Sequence, residues 1–394
     1  MPVSSIISPP EPGFGVYFHW PFCRKKCPYC DFNSHVREQV DQARWTRALI
    51  QELNHFSDQV SGKTVTSIFF GGGTPSLMTP ETVSALIGAV GDRFTISDTL
   101  EITLEANPTS VEANSFAGYA DAGVNRLSMG IQSLRDEALQ FLGREHSALE
   151  ARQAIELARK SFDNISFDLI YALPKQSLKD WEVDLVQALS FAGDHLSLYQ
   201  LTIEPNTGFA GAARRGDFKM PDEELSEEFF ELTQLLCEAS GRPAYEVSNH
   251  ARPGYECRHN LTYWRYGEYL GIGPGAHGRL NIGGTRTGFQ QRKRPESWLQ
   301  QVEEDTHGTE ITLPLLSSMD RAEEVLLMGL RLSEGVWIKN FEHAVGAPFT
   351  NFIDERRVQF MCEEGLIGLD DCHIWATDKG RLVLNSLLPE ILGS

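Results

Sequence analysis

The chain has 394 residues, 41% hydrophobic and 23% charged, enough for one large or two ordinary domains with their own cores and too apolar for a disordered tail. Its net charge of −19, from 35 basic and 54 acidic residues, repels phosphate backbones and disfavours general nucleic-acid binding. No apolar run approaches the ~18 residues of a membrane-spanning helix, and Met1–Pro10 has neither a basic start nor an apolar core, so a cytoplasmic chain without a leader is expected.

From Phe14 to about Ile203, short β-like runs alternate with helix-period segments. The β-like runs are Gly15–His19, Ser67–Phe70, Leu100–Glu105, Arg126–Ile131, Ser166–Ile170 and Leu196–Leu201. Helices are expected over Asp41–Gln59, Pro80–Asp92, Val111–Ala122, Ala148–Ser161 and Leu178–Phe191, with Thr79 and Ser177 as N-caps and Gly123 and Gly193 as stops. Such alternation means βαβ units on a parallel sheet. Six units are too few for an eight-fold barrel, so the expected fold is α/β, a partial (β/α)6 barrel spanning residues 1–240. A helix over Asp222–Ser240 should cover one edge. Residues 241–294 are rich in Gly, Pro, Tyr, His and Asn, lose periodicity and read as a loop-rich segment closing the barrel. Residues 295–394 regain helical patterns over Ser318–Leu332, Ile338–Val345 and Phe352–Glu364, followed by a short hairpin, as in a small winged-helix-like module. Ser318–Ser394 holds seven Lys/Arg against thirteen Asp/Glu, so that module reads as a packing or partner surface rather than a DNA reader.

Seven cysteines are placed unevenly, and three of them form Cys23-x3-Cys27-x2-Cys30. A disulfide in so short a loop would stabilise little. Zinc would need a fourth ligand, for which His19 and His35 are nearest. Three thiolates at these spacings suit three irons of a 4Fe–4S cluster with the fourth iron open; zinc and redox thiols stay as alternatives. Downstream, Ile68-Phe69-Phe70-Gly71-Gly72-Gly73-Thr74 is a strand running into three glycines, where missing Cβ atoms let a ligand approach the backbone. Later strand ends carry polar groups: Glu105 closes an alternating run, Gln132 ends another, and Asp168 lies between apolar neighbours, where an unpaired carboxylate is costly.

The string Tyr17-x-His19-x-Pro21-Phe22-Cys23-x3-Cys27-x-Tyr29-Cys30 resembles the cluster loop of the radical S-adenosylmethionine (SAM) superfamily. More narrowly, it resembles the branch holding oxygen-independent coproporphyrinogen III oxidases and HemW-type haem chaperones. The resemblance runs over nearly the whole chain. It implies a 4Fe–4S cluster on Cys23, Cys27 and Cys30, with SAM chelating the open iron. It carries SAM contacts onto Tyr17, Tyr29, Gly72, Gly73, Thr74, Glu105, Gln132, Arg144 and Asp168, and less directly onto Gln200 and His277. Gly271–Gly278 is expected to close the SAM end. Arg24–Lys26 would favour an electron donor or the cluster's negative charge.

Two departures separate the chain from the oxidases. Phe32 stands where they carry a further cysteine, and only sixteen residues precede Tyr17, short of a substrate-covering extension. Cys27-Pro28-Tyr29-Cys30-Asp31-Phe32-Asn33-Ser34 and His259-Asn260-x-x-Tyr263-Trp264 resemble the HemW branch instead. His259, beside Cys257, Tyr263 and Trp264, is then a candidate axial ligand to haem. The expectation is a haem chaperone that binds a cluster, SAM and haem and passes haem to an acceptor apoprotein, such as one of the respiratory chain. A homodimer is compatible with this reading. A SAM-dependent coproporphyrinogen III dehydrogenase and a zinc-stabilised binding protein are the alternatives.

Overall fold

The structure, a computed structural model, describes residues 9–60, 62–313 and 317–392. Residues 1–8, part of the segment on which the expectation of no leader rests, lie outside them.

Six strands, β1 (Phe14–Trp20), β2 (Thr64–Gly72), β3 (Thr95–Ala106), β4 (Arg126–Gln132), β5 (Asn164–Tyr171) and β6 (His195–Gln200), lie side by side in chain order, every pair parallel. Parallel strands covered by helices are buried on both faces, and β1 is buried at every position except Tyr17. The returning helices start where local chemistry dictates. Thr79 accepts from the Thr82 amide with Pro80 at the first helical position, while Ser147 and Ser177 form capping boxes with Glu150 and Asp180. The helix expected over Val111–Ala122 is instead two short ones, Ser110–Ala113 and Phe116–Asp121.

The sheet extends beyond these six strands. β7 (Asn249–Ala251) adds antiparallel to β6. On the other side β8 (Glu268–Ile272) runs parallel to β1, followed by antiparallel β9 (His277–Ile282), β10 (Thr285–Gln291) and β11 (Thr309–Leu313). The order is β11-β10-β9-β8-β1-β2-β3-β4-β5-β6-β7, an open sheet rather than a closed barrel. The loop-rich reading of residues 241–294 is therefore corrected, because 268–291 are largely strand. Gly283 and Gly284, both at positive φ, supply the two-residue turn that lets β9 and β10 pair as a hairpin.

Two hydrophobic cores are separate. One lies between the large sheet and its helices, and Trp298, Leu299 and Val302 belong to it. Trp298 stacks on Trp45 at 5.4 Å, so residues 295–313 pack with the sheet rather than with the C-terminal module expected to begin there. The second core joins helices Ser318–Gly329, Ile338–Val345, Glu355–Glu363 and Leu384–Leu392. Three short strands complete that module: β12 (Val336–Trp337), β13 (Ile367–Leu369) and β14 (His373–Ala376), in the order β12-β14-β13. A strand between the first two helices and a hairpin after the third is a winged-helix arrangement.

Candidate functional site at the strand ends

The chain leaves β1 straight into the cysteine loop. Phe22–Cys23 pairs with His35–Val36 as a two-residue parallel ladder that closes the loop on itself, and the Cys30 amide donates to the Cys27 carbonyl at 3.1 Å. The glycine turn after β2 holds the loop from below: the Gly73 amide donates to the Trp20 carbonyl at 2.7 Å and the Thr74 amide to the Phe22 carbonyl at 2.8 Å. A Cβ on Gly73 would sit 2.7 Å from the Phe22 carbonyl oxygen, so only glycine permits this approach. Gly72, at φ +110°, donates its amide to Glu105 Oε2 at 3.3 Å.

Cys23 is buried, Cys27 and Cys30 half-buried, and none is in a disulfide. Burial pushes the Cys23 thiol upward; the Thr74 hydroxyl, donating to its sulfur at 3.4 Å, opposes that, while Cys30 and Cys27 are close enough to raise it further. This donor set suits a cluster better than a lone ion. Among the described residues no three His, Cys, Asp or Glu side chains converge to hold a single metal ion. His19, the nearest candidate for a fourth zinc ligand, has both ring nitrogens engaged, with the Tyr17 hydroxyl and the Asn33 carbonyl, each at 2.9 Å. His35 is engaged by Asn33 at 3.1 Å. Three thiols around a cubane are held apart by the irons and need no such convergence.

Gly73, Thr74 and Arg144 touch this loop directly, and the other expected residues outside it lie on or just beyond the strands of the same sheet. Tyr17, Glu105 and Asp168, from β1, β3 and β5, lie near enough to one another that, in addition to burial, Glu105 raises the Tyr17 hydroxyl and Asp168 raises the Glu105 carboxyl. Burial pushes the Glu105 carboxyl up to about 8, helped by the nearby Asp168 and opposed by the Gly72 amide and by Arg126. Burial likewise pushes Asp168 up to about 6 against the Ser197 hydroxyl, Arg126 and Arg144. Two neighbouring carboxyl groups held above their usual range would be drawn toward the charged form by a cation placed beside them. Gln132 follows a register shift in β4 and sits at φ +67°, a left-handed conformation uncommon outside glycine. Its amide nitrogen would lie 3.0 Å from a Cβ placed on Gly130. Arg144 donates to the Cys27 sulfur at 3.4 Å and the Tyr29 hydroxyl at 3.5 Å. Gln200, at the end of β6, donates to the Ser226 carbonyl at 2.7 Å and is thereby tied to helix Glu223–Ala239. His277, exposed at the start of β9, is near enough to His19 to oppose its protonation, a smaller effect than the burial that lowers His19 to about 4.

Two residues absent from the expected set belong to it. Asn107, just beyond β3, accepts from Arg144 at 2.5 Å and donates to the Thr74 hydroxyl at 3.2 Å. Its signal in the sequence was its place before Pro108 at a strand end. Arg126 starts β4, is buried, and donates to Thr103 at 3.4 Å; its charge acts on Glu105 and Asp168 from beneath. Nothing but its position before an apolar run marked it.

His259 is corrected. It lies inside the protein, 1% exposed, with Nδ1 bonded to the Ser67 hydroxyl at 2.8 Å and Nε2 to the Tyr263 hydroxyl at 2.6 Å, and its ring stacks on Phe69 at 5.0 Å. Burial holds its pKa down at about 3. No ring nitrogen is left for an iron. Cys257 is equally occupied: it donates to Glu101 at 3.5 Å, and burial pushes its thiol to about 12.

This site and fold define a radical SAM protein: residues 17–186 match the radical SAM superfamily and residues 316–383 the HemN C-terminal domain. The fold superposes on coproporphyrinogen III oxidase (HemN) from Escherichia coli, a radical SAM enzyme, with a TM-score of 0.79 at 24% identity over 96% of this chain and 90% of that one. Heme chaperone HemW from Haemophilus influenzae is 39% identical over 96% of this chain and 98% of its own length. The mitochondrial radical S-adenosyl methionine domain-containing protein 1 from Bos taurus is 41% identical over 97% of this chain and 89% of its own. The chain belongs to the HemW family within the radical SAM superfamily. Membership implies a 4Fe–4S cluster and SAM. Among the described residues no helix is long and apolar enough to cross a membrane.

Proposed function

We propose that this protein carries haem and hands it to acceptor apoproteins, with a 4Fe–4S cluster and SAM bound at the strand ends. One observation carries the reading: the likeness to heme chaperone HemW from Haemophilus influenzae, 39% identity over 96% of this chain. In this reading Cys23, Cys27 and Cys30 hold three irons. Tyr17, Tyr29, Gly72, Gly73, Thr74, Glu105, Gln132 and Asp168 surround SAM, with Gln200 and His277 at its margin. The cluster, when bound, supplies an open iron and an electron. The chain's own residues set its surroundings: Glu105 and Asp168 offer carboxylates to a cation, and the Arg144 guanidinium offsets negative charge at Cys27. Arg24, Lys25 and Lys26 are exposed on the loop and suit docking of an electron donor. Seven free cysteines favour work in a reducing compartment such as the cytoplasm. The acceptor class is a haem protein of the respiratory chain, and self-association into a homodimer is compatible with the reading.

Phe32, 62% exposed in the cysteine loop, gives no thiol where the oxidases have one, which disfavours coproporphyrinogen dehydrogenation. The test is anaerobic. The reconstituted protein should contain about four irons per chain, bind ferric haem, and transfer it to an apo-cytochrome of the b type. Turnover of coproporphyrinogen to protoporphyrinogen without haem transfer would replace this reading with the enzymatic one.

A further inference from the structure

Tyr17 and His19 lie two residues apart on β1, so their side chains project from the same face of the sheet, with ring centroids 5.9 Å apart. Tyr17 is the one position of β1 that is not fully buried and has Glu105 as a charged neighbour, whereas His19 is buried. The space for both rings is left by glycine. A Cβ on Gly72 would lie 2.5 Å from His19 Cε1, and one on Gly71 would lie 2.9 Å from Tyr17 Cε2. Two of the three consecutive glycines are therefore required by this pair of rings, whatever else approaches them.

The hydrogen positions follow from the partners. His19 Nε2 lies 2.9 Å from the Asn33 carbonyl, which can only accept, so Nε2 carries the hydrogen. In a neutral ring Nδ1 is then an acceptor, and the Tyr17 hydroxyl, 2.9 Å away, donates to it. The ring is neutral because burial lowers His19 to about 4, with the Asn33 carbonyl opposing. Desolvation pushes the Tyr17 hydroxyl well above its ordinary range, and Glu105 adds to that, so the phenol keeps its proton. Asn33 is itself held on every side. Its Nδ2 donates to the Pro274 and Lys293 carbonyls, each at 2.8 Å, and its Oδ1 accepts from His35 at 3.1 Å. The carbonyl that selects the His19 tautomer is thus fixed by the cysteine loop and by two distant segments of chain.

A phenol has one hydrogen to give. With that hydrogen committed to His19, the Tyr17 oxygen faces any ligand as an acceptor only. The amino and carboxylate groups of an amino acid are the pair that chelates a metal, which leaves the sulfonium as the fixed positive charge of SAM for the protein to meet. We propose that His19 is a positioning residue for SAM: by accepting the Tyr17 hydrogen bond at Nδ1, it keeps the lone pairs of the phenol oxygen turned to the sulfonium. The inference rests on the SAM site proposed above and deepens it, since His19 acts through Tyr17 and Asn33 acts through His19.

The experiment uses the full-length, cluster-reconstituted protein, anaerobically, with SAM and S-adenosylhomocysteine as binding probes. The second keeps the nucleoside and the amino acid but has a neutral thioether in place of the sulfonium. His19→Phe keeps a ring in the space beside Gly72 and loses the acceptor. It should weaken SAM about tenfold and S-adenosylhomocysteine by no more than about twofold. Tyr17→Phe should show the same selective loss, and the double variant should lose no more than either single one. His19→Asn should keep the wild-type preference between the probes, because its Oδ1 falls where Nδ1 stood. Iron content reports which variants hold the cluster. Where His19→Phe fails to take up iron, the other two single variants decide: a preference lost in His19→Asn or kept in Tyr17→Phe would overturn the proposal. Equal weakening of both probes in His19→Phe would show that the ring only packs, and unchanged affinities would show that Tyr17 needs no orienting; either result overturns it. Absence of SAM binding by the wild-type protein would instead remove the SAM site on which the proposal rests.

Discussion

Arg144 and Cys27 are joined across 117 residues of sequence: the guanidinium Nη1 donates to the cysteine sulfur at 3.4 Å. Its other terminal nitrogen donates to Asn107 at 2.5 Å and to the Gly130 carbonyl at 2.8 Å. Asn107 donates to the Thr74 hydroxyl, which donates to the Cys23 sulfur at 3.4 Å. The arc runs from one cysteine to another through residues that follow β2, β3 and β4. The sheet thus fixes the geometry of a loop that has little secondary structure of its own.

Replacing Arg144 with Gln should leave cluster assembly intact, since all three thiolates remain. It removes a positive charge beside one of them, so the reduced, more negative cluster loses stabilisation. Taking ~1 kcal/mol for a charge at this distance in a wet site, the reduction potential should fall by on the order of 50 mV. Redox titration followed by electron paramagnetic resonance measures it. An unchanged potential would mean that Arg144 positions the loop without tuning the cluster.

Cys27→Ala should abolish the cluster, because two thiolates cannot hold three irons. Iron and sulfide analysis after anaerobic reconstitution checks this directly, and full iron content in the variant would place the cluster elsewhere. Circular dichroism should stay near wild type, since Cys27 is half-buried in the loop and outside both hydrophobic cores.

Glu105 carries a pH dependence whose sign follows from its pKa, about 8 in the fold against 4.5 ordinarily. A carboxyl raised on folding binds its proton more tightly in the native state. Its contribution is therefore fully present below about pH 4.5 and lost as pH rises through about 8. Without SAM, wild-type protein should lose stability over that window, and Asp168 should add a smaller loss between 3.8 and about 6. Glu105→Gln, which stays neutral, should be more stable than wild type at pH 8 by roughly 1–3 kcal/mol and nearly equal to it at pH 5. Thermal melts of cluster-free protein at the two pH values decide it. A difference that does not change with pH would show Glu105 ionised throughout.

Much of the fold was legible because parallel strands and capped helices leave strong local signals. The six expected β-like runs all fall within β1 to β6 apart from Leu201, and Thr79 and Ser177 cap the helices expected of them. The strands at 268–291 were not legible, because they sit in a segment where glycine and polar residues hide the alternation. Their best signal was Gly283-Gly284, a glycine pair suited to a two-residue hairpin turn. The cysteine loop was legible as a metal-type loop, although its spacing left cluster, zinc and redox thiols open and the family resemblance chose among them. Asn107 and Arg126 were not, since an amide or a cation at a strand end reads as solvent-facing punctuation until neighbouring strands are packed around it. His259 was misplaced for the opposite reason: Cys257, Tyr263 and Trp264 beside it suggested a haem site, whereas Ser67 and Tyr263 satisfy its ring nitrogens inside the fold.

His259→Ala therefore distinguishes an interior residue from a haem ligand. Removing the ring empties a packed space between Phe69, Tyr17 and Tyr263, and leaves the Ser67 and Tyr263 hydroxyls without their partners. Cavity and lost hydrogen bonds together should cost roughly 2–4 kcal/mol. For a chain of this size that is a drop of about 2–5 °C in Tm. Haem affinity and the position of its absorption band, measured well below the melting temperature, should match wild type. His259 also bridges β2 to helix Arg258–Trp264, so the loss should appear as a lower melt of the whole sheet domain rather than local fraying. An unchanged Tm together with a shifted haem band would restore His259 as the iron ligand and require the Ser67 and Tyr263 hydrogen bonds to open when haem arrives.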